Sequence, residues 1–325
     1  MEYRNIGRSD LKVSTIGLGG NVFGAPRLDL EFSRANILRA RDLGINFIDT
    51  AYLYNDGQSE QFVGEVLKGI RNDFIVATKF HFFGLEAGES PEQRIRDHCD
   101  TSLQRLQTDH IDLMQIHFPA DEVPPEVVMG TLNQLISAGK IRYIGQCNYA
   151  SWRHLQADNA AQANGWVPFV SAQNQFSLLR RQVEAELLPF CQQFDVGFLP
   201  YFPLAGGFLS GKYQPGKPPP PGSRGAANSP VIRGKRTERN ETKLASLSAY
   251  AGDHGHSVLE LAFAWLLAHP QVSSVIAGTM SVTQVEQNAA AGSWSLSAEQ
   301  KLEVDQLAAW DGSDELVEPS LSSFK

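Results

Sequence analysis

Cysteine is scarce in this sequence and carries no pattern. Cys99, Cys147 and Cys191 are odd in number and show no CxxC spacing, which argues against a disulfide framework or a zinc site. Bases are not in excess: 36 acids against 28 bases give a net charge of −8, spread without long like-charge blocks. That balance argues against a general nucleic-acid binder and leaves room only for a local anion site. Long apolar runs are missing too. The most apolar helix-like stretch, 258–268, is short and contains Glu260, and the start, MEYRNIGRSD, has no basic-then-apolar leader. A cytoplasmic protein is therefore expected, with no membrane and no nucleic acid among its partners. No linker composition or internal repeat divides the chain, so residues 1–325 are expected to form a single domain, and 42% hydrophobic residues suffice for a sizeable core.

What is present centres on residues 44–60, GINFIDTAYLYNDGQSE. The apolar run 45–48 is too short for a free-standing helix, ends in Asp49, and is followed by Tyr54 in a Gly- and Asn-containing loop. The device recurs in FIVATK, which ends in Lys79, and in IDLMQIH, which ends in His117. Three buried strands thus present Asp, Lys and His at their carboxyl ends, where parallel α/β proteins place ligands and chemistry.

The remaining pattern alternates strand and helix. The first dozen residues read as a small hairpin outside the main fold, and 12–18 as the first core strand, running into Gly19, Gly20 and Asn21. Further strands are predicted near 45–48, 74–78, 111–116, 141–146, 169–173, 196–200 and 272–276. Helices are predicted over 29–43, 58–69, 91–106, 124–138, 151–164, 181–193, 257–268 and 282–290. Eight βα units in about 300 residues favour a closed (β/α)8 TIM barrel over an open doubly wound sheet. An extra C-terminal helix over 297–310 and a Ser- and acid-containing tail follow. The segment 212–240, after strand 7, reads as a long loop with Pro215, four consecutive prolines at 218–221, and the bases Arg224, Arg233, Lys235, Arg236 and Arg239.

Asp49, Tyr54, Lys79 and His117 suit one task together. A phenol with a pKa of about 10 exchanges protons poorly near neutrality unless a neighbouring charge makes its ionised form accessible. The Lys79 ammonium would do that, Asp49 would hold the ammonium, and His117 would hydrogen-bond a substrate oxygen. The set suits protonation of a carbonyl oxygen while hydride reaches its carbon, and it needs a hydride source.

The chain resembles the aldo-keto reductase superfamily, NAD(P)H-dependent oxidoreductases built on a (β/α)8 barrel. The matching stretches, in order, are GINFIDTAYLYNDGQSE, VATK, SLQRLQTDHIDLMQIH, GKIRYIGQCN, QNQFSLL, YFPLAGGFLSGKY and VIAGTMSVTQVEQN. The resemblance implies Tyr54 as general acid/base, Lys79 and Asp49 tuning it, and His117 orienting the carbonyl. It implies that Cys147, Asn148 and Gln173 hold the nicotinamide carboxamide and that Tyr201 stacks on its ring. A serine is common where Cys147 stands, and a thiol is the weaker donor. Gly20, Asn21 and Asp49 border the same site, and Phe202, Pro203, Leu204, Ala205, Gly207, Lys212 and Arg224 are expected to meet the pyrophosphate. Gly278, Thr279, Met280, Gln284, Gln287 and Asn288 are expected at the far end of the cofactor. Many relatives carry a lysine or arginine where this chain has Gly278 and Gln284, while others with Gly and Gln there still use NADPH. NADP is therefore the expected cofactor, with NAD as the alternative.

Substrate contacts are expected from Phe23, Tyr54, His81, His117, Phe118 and Tyr149, with Asn21, Phe80, Phe82, Phe83 and Trp152 as further rim candidates; this aromatic set suits a small cyclic or aryl carbonyl. Taken singly, a strand-end lysine reads as a solvated charge and a lone histidine as a packed one; their order on successive strand ends lifts them above that. The His254/His256 pair lacks a third ligand at useful spacing and reads as a polar helix end, so no metal is expected. A nicotinamide-sensing binding subunit on the same barrel is the competing function. A metal-dependent barrel hydrolase is a second, but Gly19, Gly20 and Asn21 stand where it would carry an HxH.

Overall fold

Period-two alternation decides what fills the interior of a parallel barrel: every second side chain of a strand points inward, and the others meet the surrounding helices. The computed structural model describes residues 1–214, 216–310 and 312. Strands β1 (Tyr3–Asn5) and β2 (Lys12–Ser14) form an antiparallel hairpin. The barrel strands are β3 (Ile16–Gly19), β4 (Phe47–Asp49), β5 (Ile75–Phe80), β6 (Ile111–Ile116), β7 (Ile141–Cys147), β8 (Ser171–Gln173), β9 (Gly197–Phe198) and β10 (Val275–Gly278). They are parallel in the order β10-β3-β4-β5-β6-β7-β8-β9. The two ends of that sheet meet through parallel bridges between Phe198 and Val272 and between Tyr201 and Ile276, with Ser273 N–H donating to Phe198 O at 2.9 Å. The expected (β/α)8 barrel is what forms.

Helices α1 (Leu30–Asp42), α2 (Gln58–Leu67), α3 (Pro91–Leu106), α4 (Pro125–Ser137), α5 (Ser151–Asn164) and α6 (Leu187–Gln193) each follow a strand. After β9 come α7 (Pro230–Arg233), α8 (Glu238–Asp253) and α9 (Val258–Leu267); after β10 come α10 (Val282–Ala291) and α11 (Ala298–Leu307). Several starts are fixed by side-chain caps. Asp29 accepts from Phe32 N, Ser90 precedes Pro91 and accepts from Gln93 N, and Ser257 with Glu260 forms a capping box. Outward residues such as Ile48, Val76, Met114 and Ile144 join the core between strands and helices. Among the described residues no helix is long and apolar enough to cross a membrane.

Several expectations are corrected. The strand expected over 12–18 divides at Thr15, with Lys12–Ser14 in the hairpin and Ile16–Gly19 in the barrel. The hairpin does not lie outside the fold: Ile6, Leu11 and Val13 are buried against Phe47, Ala77, Leu113, Val170, Leu199 and Ile276. It plugs the amino-terminal end of the barrel, whose apolar lower layer would otherwise meet water. The segment 212–240 contains α7 and runs into the start of α8, a helix that its weakly periodic sequence did not announce; Thr237 caps α8 by accepting from Asn240 N. The helix expected over 181–193 is a short 3-10 turn, Gln182–Glu184, followed by α6. The C-terminal helix ends at Leu307 rather than 310. Pro215 and the tail over 313–325 lie outside the described residues.

The hairpin turn makes the plug's fit testable. Gly7 has φ +49°, and a Cβ there would stand 2.5 Å from both Asp195 O and Gly197 N. Gly7→Ala is expected to lower stability by at least about 2 kcal/mol. Gly69 also has positive φ but nothing within 4 Å, so Gly69→Ala should cost only about 1 kcal/mol. Thermal and denaturant unfolding of the two variants checks this; equal losses would show that the turn does not seat in the barrel floor.

Candidate active site

Two residues above the apolar layer, the inward positions turn polar. Phe47 is followed by Asp49, Ala77 by Lys79 and Leu113 by Gln115, each one strand repeat higher. The Lys79 Nζ donates to Asp49 Oδ2 at 2.6 Å and to Thr50 O at 2.9 Å. Asp49 Oδ1 accepts from Gln173 Nε2 at 2.9 Å and from Gln115 Nε2 at 3.3 Å. Lys79 is 0% and Asp49 3% exposed. Burial works against the charge on Lys79, but the Asp49 carboxylate overcomes it and holds the ammonium above its ordinary range. This layer needs room that only a small residue leaves: a Cβ on Gly145 would lie 2.0 Å from Ser171 Oγ.

Tyr54 opens the 3-10 turn Tyr54–Gly57, which passes through left-handed backbone at Asn55 (φ 49°) and Asp56 (φ 53°). Asn55 Nδ2 donates to Phe23 O at 2.6 Å and ties this turn to the loop after β3. The Tyr54 ring centroid is 5.1 Å from Lys79 Nζ. Burial pushes the Tyr54 phenol up to about 12, against the pull of the Lys79 charge. His117 directly follows β6, meets Tyr54 edge to face at 5.6 Å and stacks on Phe118 at 4.3 Å. Burial first, then the Lys79 charge, holds its imidazole well below the ordinary value. Around one permanent ammonium the site therefore presents a neutral phenol and a neutral imidazole.

A wall rises from β7 and β8. Asn148, at φ 63°, donates from Nδ2 to His117 O at 3.0 Å, and its Oδ1 accepts from the Tyr201 hydroxyl at 2.8 Å. Cys147 Sγ lies 3.8 Å from Gln115 Oε1, and burial pushes its thiol pKa up, so it stays protonated. Gln173, which lines the cleft, donates from Nε2 to Asp49 Oδ1 at 2.9 Å and to Gln115 Oε1 at 3.5 Å. Beyond Tyr201 the backbone is left-handed at Phe202 (φ 53°), Ala205 (φ 48°) and Gly206 (φ 73°).

One cleft joins most of the residues expected there. Gly20, Asn21, Asp49, Tyr54, His117, Cys147, Asn148, Gln173, Tyr201, Phe202, Pro203, Leu204, Gly207, Arg224 and Gly278 all line it. Arg224 donates to Gly206 O at 2.8 Å and makes no ion pair among the described residues. Lys79 lies directly beneath, bonded to Asp49. Other expected residues stand outside the lining. Ala205 is buried, while Lys212 Nζ comes within 3.4 Å of where a Cβ on Gly207 would be. Thr279 and Asn288 are buried, Gln287 is exposed, and Gln284 Oε1 accepts from Met280 N at 2.8 Å. Among the proposed substrate contacts, Phe118 clusters with Ala51, Tyr54 and Tyr201. Phe23 and Tyr149 instead belong to the main core. His81 sits against Tyr52 and Phe83, and burial, then the charge of Arg94, holds its imidazole down to about 4.

Sequence reasoning missed Gln115, the second amide on Asp49, and the lining residues Gly19, Ile276 and Ala277; Gly206 falls within the 204–207 backbone expected at the pyrophosphate. Gln115 had a signal: a polar residue two before His117, flanked by Leu113, Met114 and Ile116.

Known proteins resemble this chain over most of its length. The model of the Aldo/keto reductase family matches residues 15–309. The chain is 32% identical to versiconal hemiacetal acetate reductase of Aspergillus parasiticus, over 85% of this chain and 88% of that protein. It is 31% identical to a probable voltage-gated potassium channel subunit beta of Oryza sativa subsp. japonica, over 89% and 90%. It is 32% identical to aflatoxin B1 aldehyde reductase member 2 of Rattus norvegicus, over 82% and 76%. With a family match over nearly its whole length and a barrel whose strand ends bring Asp49, Tyr54, Lys79 and His117 together, the chain belongs to the aldo/keto reductase family.

Proposed function

We propose that this protein, acting as a single domain in the cytoplasm, is an NADPH-dependent reductase of small apolar aldehydes or ketones. The observation that carries the reading is the buried Lys79–Asp49 pair beneath a protonated Tyr54 at the floor of the cleft. Names of relatives that include a hemiacetal acetate reductase and an aldehyde reductase support it.

The donor set suits a nicotinamide dinucleotide. Arg224 offers a cation without an acidic partner among the described residues, and Lys212 stands beside Gly207. A Cβ on Gly278 would come within 2.9 Å of Asn21 Oδ1, so the glycine keeps that wall open. Thr279 Oγ1, next to it, is buried with no hydrogen-bond partner. Asn148 and Gln173 would hold the carboxamide, Tyr201 the ring face, and residues 202–207 with Lys212 and Arg224 the diphosphate; 278–280, Gln284, Gln287 and Asn288 would hold the adenosine end. When bound, this group supplies hydride to the carbonyl carbon.

The chain's own residues manage the proton and the orientation. The Tyr54 hydroxyl donates its proton to the carbonyl oxygen, and the Lys79 ammonium stabilises the phenolate left behind. Asp49 keeps that ammonium in place. His117, neutral, orients the carbonyl by a hydrogen bond. Phe118 and Phe83, with ring centroids 4.7 Å apart, pack in one apolar cluster with Tyr54 and Tyr201 and would favour an aryl or alicyclic substrate over a charged one. Relatives named as potassium channel beta subunits favour a second reading, a nicotinamide-binding subunit with negligible turnover.

Steady-state loss of reduced nicotinamide absorbance with NADPH, and separately NADH, against aryl aldehydes and alicyclic ketones tests both readings. Substrate-dependent oxidation with NADPH preferred is expected; tight nucleotide binding without turnover would favour the binding subunit instead. Tyr54→Phe is expected to lower kcat about 10²- to 10⁴-fold while leaving the NADPH Kd within about twofold. Equal turnover by that variant would remove Tyr54 from its role. The pH dependence follows from the same groups. A phenol raised to about 12 keeps its proton throughout the working range, and a depressed imidazole stays neutral there. For reduction, kcat/KM should therefore be level between about pH 6 and 9, and for alcohol oxidation it should rise with pH over that window. A bell centred near neutrality in the reductive direction would contradict the assignment.

A further inference from the structure

Glu60 on α2 and Arg105 on α3 form an ion pair outside the cleft lining. Arg105, on α3, donates from Nη1 to Glu60 Oε2 at 3.1 Å and to Tyr52 O at 3.0 Å. Its guanidinium lies over the Tyr52 ring, 4.4 Å from the centroid. The same group closes on Gly57, where a Cβ would stand 2.3 Å from Arg105 Cζ. Glu60, 0% exposed, accepts from Thr78 Oγ1 at 2.6 Å through its other oxygen.

These contacts fall on both sides of the reacting groups. Tyr52 and Gly57 bracket Tyr54 in the chain, and Thr78 is the residue before Lys79. The turn held between them is unfavourable in itself, because two consecutive non-glycine residues, Asn55 and Asp56, have positive φ, at 49° and 53°, before Gly57 at 87°. Such backbone persists only where its surroundings over-determine it. A planar guanidinium meets the need: it bonds a carbonyl and a carboxylate, stacks on a ring and leaves no space for a side chain at Gly57. An exposed ion pair could be dispensable, but Glu60 is buried, and its carboxyl is raised by burial against the pull of Thr78, Ser102 and Arg105.

We propose that Arg105, with Glu60, is a positioning residue that fixes the Tyr54 hydroxyl relative to the Lys79 ammonium by clamping the Tyr54 turn to the Lys79 strand. The inference rests on the reading of Tyr54 as proton donor. Arg105 touches no reacting atom; it acts through the turn and the strand. Lysine in its place keeps a charge for Glu60 but loses the fork, the stack and the flat face against Gly57.

The test uses the full chain with NADPH and 4-nitrobenzaldehyde as probe, and 4-nitrobenzyl alcohol with NADP+ in the reverse direction. Arg105→Lys is expected to lower kcat about tenfold or more, as small misplacements of a reacting group do. The aldehyde KM and the NADPH Kd, read by fluorescence quenching, should stay within about threefold. The readout that a merely stabilising pair would not move is the pH dependence of alcohol oxidation: at equal pH the variant should oxidise more slowly and need more alkaline solution to reach the same fraction of its maximum. Thr78→Val, which keeps shape and removes only the anchor between Glu60 and the Lys79 strand, should shift the same two quantities in the same direction by a smaller factor. If Arg105→Lys does not fold, Thr78→Val decides alone. Unchanged kcat and unchanged alkaline behaviour in a folded variant, beside a wild type that Tyr54→Phe disables, overturn the inference and leave the reductase intact. A wild type that reduces no carbonyl, or a Tyr54→Phe variant that still does, overturns both.

Discussion

The structure depends most on the contact between Lys79 and Asp49. Removing an ammonium and a carboxylate from water costs several kcal/mol for each ion, and their attraction recovers this only when the geometry is close and the remaining lone pairs and protons are used. Here the separation is 2.6 Å, two amides take the other carboxylate oxygen, and the Thr50 carbonyl takes another ammonium proton. The requirement propagates outward. The amides must be held, so Gln115 and Gln173 sit on neighbouring faces of the barrel interior, and Gly145 leaves the space in which Ser171 stands. A polar layer of this kind tolerates little rearrangement, because any unpaired member would be left buried.

The electrostatics above the pair are simple for that reason. The carboxylate neutralises most of the ammonium's field at a distance, and burial strips the phenol and the imidazole of any tendency to ionise. What remains is a short-range preference: a negative oxygen forming at Tyr54 is stabilised, and a positive charge on the His117 imidazole is opposed. Discrimination of this sort acts on charge that develops during a reaction more than on charge already present in a ligand.

Much of this was legible in the sequence because it is written in periodicity. Asp49, Lys79 and His117 close strands that the apolar runs mark plainly, and the alternation of strand and helix over eight units leaves few architectures. Three things were not legible. The hairpin's buried side chains belong to the barrel floor, which follows from contacts far apart in the chain, such as those of Arg8 N with Asp195 O and of Ser273 Oγ with Asn5 O. Helix α8 has only Leu244, Leu247 and Ala251 buried, too sparse an apolar face to stand out against its polar neighbours. The aromatic rim divides in a way that composition cannot reveal: Phe118 faces Tyr54, whereas Phe23 and Tyr149 turn into the core. Which face a loop aromatic chooses depends on the packing around it.

The hairpin that fills the lower end of the barrel also gives the site an apolar floor. Ile6, Leu11 and Val13 put apolar side chains beneath the polar layer, whereas the cleft lies above it. Anything lying across the cleft removes its polar lining, Asp49, Tyr54 and His117, from bulk water and lowers the dielectric in which the buried Lys79 ammonium acts for as long as it stays.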